Sequence, residues 1–436
     1  MRLSRILALG TYPIEKPIHG GQRRVAAFKR FYERHGIEYV YACIYNHLHY
    51  KGDEVGPNDW PLKIPSFDGG LVYVIGDLMS GRQFETDSVS LQHFASLIER
   101  IKPDALQLEQ PFMWPMAKQL IELYSAQDIK LIYSSQNVEA PLKREILLAQ
   151  RMVTEKREQI CADIEKMETE LAREADLIFC VTQDDRACYL QMKSSDRVII
   201  VPNGTDRPPQ GSQHRTTLPI QSHFQGRRFL MSVGSSHPPN VDGMCHFVFD
   251  NGAFFVPPVK SIAICGGVSE SVFNHFAYQK FLAAHFARAQ FFPQIEDAEL
   301  WAIKHACHGV FLPLRSGGGS NLKTGEALAL GKWVIATTVA LRGYESMRSA
   351  KGLIIADDPS SFRRAMAETL SRPGLQLSEA DWAARDGLFW DRCFADIRVI
   401  VGRLPTLGKS PHVDQKPLTK TKGLVGKSPH CLQLRK

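Results

Sequence analysis

Short apolar runs alternate with helical patterns along nearly the whole chain, and the alternation stops once and restarts. The first series contains RILAL (5–9), IEYVYACIY (37–45), LVYVI (71–75), DALQL (104–108), IKLIYSS (129–135), DLIFCVT (176–182) and RVIIVPNG (197–204). Between them, residues 22–35 set Val25, Phe28, Phe31 and Tyr32 on one helical face, and 88–102, 114–126 and a long charged stretch, 142–174, also read as helices. Strands separated by helices make a parallel α/β sheet, because a parallel pair needs a crossover long enough to hold a helix. Residues 205–225 are polar and hold Pro and Gly, which marks a linker. The second series follows: RFLMSVG (228–234), VKSIAICGG (259–267), AQFF (289–292), GVFLPL (309–314), KWVIATT (332–338) and GLIIAD (352–357). A chain of 436 residues exceeds one ordinary core, so two Rossmann-like domains are expected, 1–205 and 226–375. The aromatics of 379–402, namely Trp382, Phe389, Trp390 and Phe394, are expected to pack a C-terminal helix (376–404) back onto the first domain.

The net charge of +7 is concentrated at the end of the chain. From Pro405 onward there are seven Lys or Arg and one acid, Asp414, so the remaining chain is nearly neutral and gives no basis for nucleic-acid binding. This tail, 405–436, repeats GKSPH at 408–412 and 426–430 and has few large apolar residues, so disorder is expected, with contact to anionic lipid as one use for its cations. Nine cysteines occur without a C-x-x-C spacing, which argues against a zinc site or a disulfide framework. No apolar run approaches the ~20 residues of a membrane helix. The opening apolar stretch, Ile6 to Gly10, reads as a buried strand rather than a secretion signal, and the expectation is a cytoplasmic protein.

The segment RSGGGSNLKTGEAL (315–328) lies between two strand-like runs. It is not a Walker loop: five residues beyond Gly317 stands Leu322, where that motif needs glycine, and the tail GKS triplets fail the same spacing. It still has the parts of an anion cradle. Gly317, Gly318 and Gly319 have no side chains to block a ligand from their N–H groups. Ser320 is a candidate N-cap for a helix whose N-terminus faces the same ligand. A helix dipole contributes only about 0.3–1 kcal/mol at an exposed site, so Arg315 and Lys323 would supply the remaining positive charge. Glu326, one turn after Lys323, could accept two hydroxyl hydrogen bonds from a ribose. Together these suit a nucleoside diphosphate carrying a sugar.

The longer stretch PLRSGGGSNLKTGEALALGKWVIATTVALRGYE resembles the donor-site segment of retaining glycosyltransferases of the GT-B fold, the group 1 family (family 4 of the glycosyltransferases), in the branch with an Arg-Ser-Gly-Gly-Gly loop. LMSVGSSHPPNVDG (230–243) is similar to the first strand and loop of that family's donor domain, and PIHGGQRRV (17–25) to its acceptor-domain glycine loop. SSQNVEAPLKR (134–144) and the stretch 175–206 resemble later acceptor-domain segments. The resemblance implies two Rossmann-like domains facing a cleft and a hexosyl-type transfer from a nucleotide sugar to a sugar, lipid-linked or small-molecule acceptor. It implies Glu326 on the ribose, and Gly317–Gly319, Ser320, Asn321, Arg315 and Lys323 on diphosphate and sugar. It further implies Gly20 and Gly21 closing over the phosphate, Gly234 and Asn240 lining the donor cleft, and backbone at Ile264–Gly267, Gly266 included, beside the base. Gln136, Asn137 and Glu139 would stand on the acceptor side. Acceptor specificity is expected from 46–70 and 76–87.

The chain departs from the family pattern at Gly318, where a glutamate is common, and at Gln136, where a histidine is common. The usual Arg and Lys are missing from VGSSHPPNVDG, which puts more weight on Arg315 and Lys323. No Asp-x-Asp triplet occurs, so a metal-independent reaction without a cofactor is expected, with Arg315 and Lys323 as electrostatic catalysts. Other readings stay open: a sugar-nucleotide epimerase of the same fold, or a nucleotide-sugar-binding protein without catalysis. Lys323 and Glu326 also suit a solvated helix pair, Gly20-Gly21 a plain loop, and Gln136, Asn137 and Glu139 loop hydrogen bonding. His237, alone in its loop, reads as structural.

Overall fold

The computed structural model describes residues 3–64, 72–125, 127–207, 220, 222–317 and 320–397. Gly318, Gly319, most of the linker, and the basic tail with its expected lipid contact lie outside these residues. The first sheet holds β1 (Arg5–Gly10), β2 (Glu38–Tyr45), β3 (Trp60–Pro61), β4 (Ala105–Leu108), β5 (Lys130–Ser134), β6 (Leu177–Cys180) and β7 (Val198–Ile200) in the order β3-β2-β1-β4-β5-β6-β7. The second holds β8 (Leu230–Val233), β9 (Ile262–Cys265), β10 (Ala289–Phe292), β11 (Gly309–Leu312), β12 (Trp333–Ala336) and β13 (Leu353–Ile355) in the order β10-β9-β8-β11-β12-β13. Every described strand pair is parallel, for example Ile6↔Tyr39 and Val310↔Val334. Apolar clusters lie on both faces of each sheet, which is why the strands read as continuous rather than alternating apolar runs. The helix α1 (Gly20–Arg34) buries Val25, Phe28, Phe31 and Tyr32 as its spacing predicts.

Strand order reverses between β1 and β4 in the first sheet and between β8 and β11 in the second. Loops leaving strand C-termini diverge at such a point and open a crevice. The residues after β1, Thr11 to His19, and those after β11, Pro313 to Asn321, therefore emerge at the two positions where an α/β sheet binds ligands. The glycine-rich segment read from sequence stands at one of them.

Three local expectations need correction. LVYVI (71–75) is not a strand: residues from Val72 form the helix α2 (Val72–Ser80), and Trp60–Pro61 takes the sheet edge beside β2. A short apolar run does not separate buried strand from buried helix by period. The charged helix expected over 142–174 is two helices, Glu139–Ala149 and Thr154–Glu174, broken where Arg151 has a left-handed φ of 56°. The C-terminal aromatics divide between the domains. Trp390, Phe394 and Ile397 join the core around Phe28 and Phe31, while Phe389 stays with the second domain and Trp382 is half exposed.

The helix Pro238–Met244 sits directly on the chain that leaves β11. A Cβ added to Gly243 would lie 1.8 Å from the Pro313 carbonyl oxygen, so only glycine permits this approach. Gly243→Ala is expected to cost about 1–3 kcal/mol through forced backbone displacement, read as a lower midpoint in urea unfolding.

Candidate active site

A cavity of about 760 Å³ separates the two domains. Its first-domain wall includes Tyr12, His19, Gly21, Gln136, Asn137 and Glu139, and its second-domain rim includes His237, Asp242, Ser316 and Gly317. The Tyr12 hydroxyl bonds the Gln136 amide at 2.7–2.9 Å. His19 caps α1 through its ring nitrogen, and burial followed by the nearby Arg23 charge pulls its pKa down to about 4, so the ring is neutral. Gly21 lies against the Tyr12–Gln136 pair.

A narrow recess lies in the second domain, lined by Gly234, Asn240, Asn321 and Lys323. Lys323 donates to the Asn240 side-chain oxygen at 2.7 Å, and Asn240 donates onward to the Ser235 carbonyl at 3.0 Å. Burial lowers the Lys323 pKa to about 8, with the Glu326 charge opposing. Gly266 closes the back of this region in a left-handed conformation, φ 81°. A Cβ there would stand 2.6 Å from the Gly234 carbonyl.

The helix N-cap is Asn321 rather than Ser320, and the helix runs Leu322–Ala329. Ser320 instead accepts a hydrogen bond from Asn203 of the first domain at 2.8 Å. Arg315 pairs with Asp242 at 3.0 Å at the exposed rim. Glu326 and Lys323 do not share a cavity. Glu326 lies in a neighbouring one of about 280 Å³, where Arg23 of α1 holds one carboxylate oxygen at 2.8 Å and Lys304 the other at 2.9 Å. Burial alone would raise its pKa, but the Lys304 and Arg23 charges outweigh that and hold it below the usual carboxylate range. Gly20 faces Leu322 across the same contact, so the N-terminus of α1 meets the N-terminus of the Leu322 helix.

No protein-family model and no curated protein matches the sequence. Solved structures do match in three dimensions. Sucrose-phosphate synthase from Thermosynechococcus elongatus aligns over 90% of this chain and 97% of its own, with a TM-score of 0.64 at 13% identity. The catalytic domain of starch synthase IV from Arabidopsis thaliana, bound to ADP and acarbose, covers 93% and 99%, with a TM-score of 0.60 at 9% identity. Anabaena HepE in complex with UDP covers 91% and 98%, with a TM-score of 0.59 at 10% identity. The fold is GT-B.

In this GT-B chain the structure adds residues that no motif announced. Asn46, His49 and Tyr50, together with Gly76, Asp77 and Ser80, line the cleft from within the two loop regions flagged for acceptor choice. Lys143 and Glu145, on the helix after Asn137, join them. His237 is exposed at the cleft rim rather than packed in a core. Arg342 approaches Gly317, its terminal nitrogen 3.1 Å from where a Cβ would stand, and is a further cation beside the glycine loop. Among the described residues, no helix is long and apolar enough to cross a membrane.

Lys304 is almost wholly buried and Arg23 a third exposed. Lys304→Met leaves a buried carboxylate short of its main partner and is expected to cost about 3 kcal/mol. Arg23→Met should cost less than about 1 kcal/mol. Urea unfolding of the two variants checks the ranking.

Proposed function

We propose that this chain is a retaining glycosyltransferase that moves a sugar from a nucleoside-diphosphate sugar to an acceptor held in the interdomain cleft. The observation that carries the reading is Lys323, a half-buried ammonium oriented by Asn240 in a recess beside Gly234 and just past the glycine-rich loop. A buried cation acts on a phosphate far more strongly than one in water. The neighbours crystallised with UDP or ADP support a nucleotide in this cleft.

In the reaction, the bond from the sugar C1 to the diphosphate oxygen breaks, and its electron pair stays with that oxygen. The acceptor oxygen forms the new bond to C1 from the same face, and its proton passes to the departing phosphate. Negative charge grows on the diphosphate as the bond lengthens. On this reading Lys323, the Gly317 amide and the nearby Arg342 would balance it, and Arg315 would have to exchange Asp242 for the phosphate to take part. The reading assigns neutralisation to these side chains and amides, so chelators should leave turnover unchanged. Glu326 would meet the ribose only after giving up one of its two cations.

Lys323→Ala is expected to lower turnover at least a hundredfold with an unchanged circular dichroism spectrum. Near-normal turnover would refute the assignment. The depressed Lys323 pKa also sets a pH dependence. The side chain is cationic below about 8 and loses its charge above. Diphosphate binding needs the charged form, so UDP affinity should fall about tenfold between pH 7 and pH 9, with proton uptake visible by calorimetry in buffers of different ionisation enthalpy. Lys323→Ala should flatten that profile.

A further inference from the structure

The first-domain wall of the main cleft carries an unusual balance of charge for a site next to a diphosphate. Asp77 of α2 and Lys143 form a pair at 2.6 Å, with Lys143 almost fully buried and its ammonium over the Phe112 ring at 5.3 Å. Glu139 lies beside them, 94% buried, and Glu145 stands nearer the mouth. The Asn137 amide donates to Glu139 at 3.4 Å. Among the described residues lining this cavity there is no arginine, and Lys143 is the lysine. The rest of the described lining includes the amides Asn46, Gln110 and Gln136, the aromatics Tyr12 and Tyr50, the imidazoles His19, His49 and His237, and Asp242 on the second-domain rim.

The reason for the Glu139 environment lies behind it. Glu168 is buried and accepts from the Tyr133 and Tyr189 hydroxyls at 2.6 and 2.7 Å and from the Glu139 N–H at 3.0 Å. Burial, and then the Glu168 charge, push the Glu139 pKa up to about 8. At neutral pH Glu139 is therefore a carboxylic acid, able to donate one hydrogen bond and accept another. Asp77 remains tied to the lysine. An incoming phosphate or carboxylate would meet the Asp77 and Glu145 carboxylates, with no arginine among the described lining residues, and desolvation in a cleft magnifies that repulsion. A hydroxyl-bearing ring would find carboxyl and amide partners for its O–H groups and aromatic faces for its C–H surface.

Building on the transferase reading, we propose that the acceptor is a neutral, hydroxyl-rich sugar, and that Asp77 is the residue that excludes anionic acceptors by holding the Lys143 ammonium. The acceptor class thus follows from the Asp77–Lys143–Glu139 wall, independently of which sugar the donor carries.

The test uses the full chain saturated with UDP. Methyl glycosides of glucose, galactose and mannose, and the 6-phosphates of the same glycosides, are titrated by saturation-transfer NMR. At least one neutral glycoside should bind, and its phosphate should bind at least tenfold more weakly. Asp77→Asn should relax that discrimination at least fivefold by removing the carboxylate beside the Lys143 ammonium. Glu145→Gln, at an exposed position, should relax it by a smaller factor and guards against a folding defect in the first variant. Equal or better binding of the phosphates by the unaltered chain overturns the proposal, as does discrimination that survives in both variants, or failure of every glycoside to bind at 10 mM, on the order of a hundredfold weaker than ordinary enzyme affinities. UDP binding, measured separately by calorimetry, reports on the donor reading. Its absence would sink that reading, whereas UDP binding with preference for phosphates would sink the acceptor proposal alone.

Discussion

Glu326 takes one cation from each domain, and the shape of the cleft depends on that double pairing. Arg23 reaches it from α1 and Lys304 from within the second domain. Two helix N-termini, each bearing partial positive charge, are brought together at this point, with Gly20 against Leu322. A carboxylate between them offsets repulsion that would otherwise push the domains apart. The Asn203–Ser320 hydrogen bond and the Tyr344 hydroxyl donating to the Asn203 carbonyl tie the same corner. A residue read from sequence as a ribose ligand is thus also the charge that joins the two halves of the molecule.

The chemistry beside this joint comes from topology more than from any single motif. Both sheets reverse strand order, and both reversal points open on the same cleft. The glycine-rich loop after β11 and the glycine pair opening α1 face one another because each leaves a strand C-terminus at a reversal point. Lys323 then owes its character to depth. Set beside Gly234 and oriented by Asn240, its partly desolvated ammonium holds its proton less tightly than a surface lysine.

The strands were legible because buried parallel strands are uninterrupted apolar runs, and twelve such runs correspond to strands of the two sheets. The run at 71–75 failed because period cannot tell a short buried helix from a strand, and the strand that replaced it is the two-residue Trp60–Pro61. The glycine-rich loop stood out as a candidate site through glycine and charge at fixed spacing. The partners were not. Nothing in the sequence links Glu326 to Arg23, 303 residues away, or Arg315 to Asp242. Ser320 looked like a cap by residue type, yet an interdomain hydrogen bond claims its hydroxyl. Lys143 lies in the SSQNVEAPLKR segment, but nothing in the sequence ties it to Asp77, since that contact spans 66 residues of chain.

The polypeptide passes between the domains at two places that lie side by side. Thr205 donates nothing to a sheet of its own; its N–H bonds the Leu388 carbonyl and its carbonyl accepts from Trp390. Arg207 spans both passages, pairing with Asp386 and Asp391 and lying over the Phe389 ring. Beyond them Trp390, Phe394 and Ile397 anchor in the first core. A single passage would let one lobe swivel freely on the other. Two laced together act like a pair of pins, resisting torsion of one lobe on the other far better than a single crossing would.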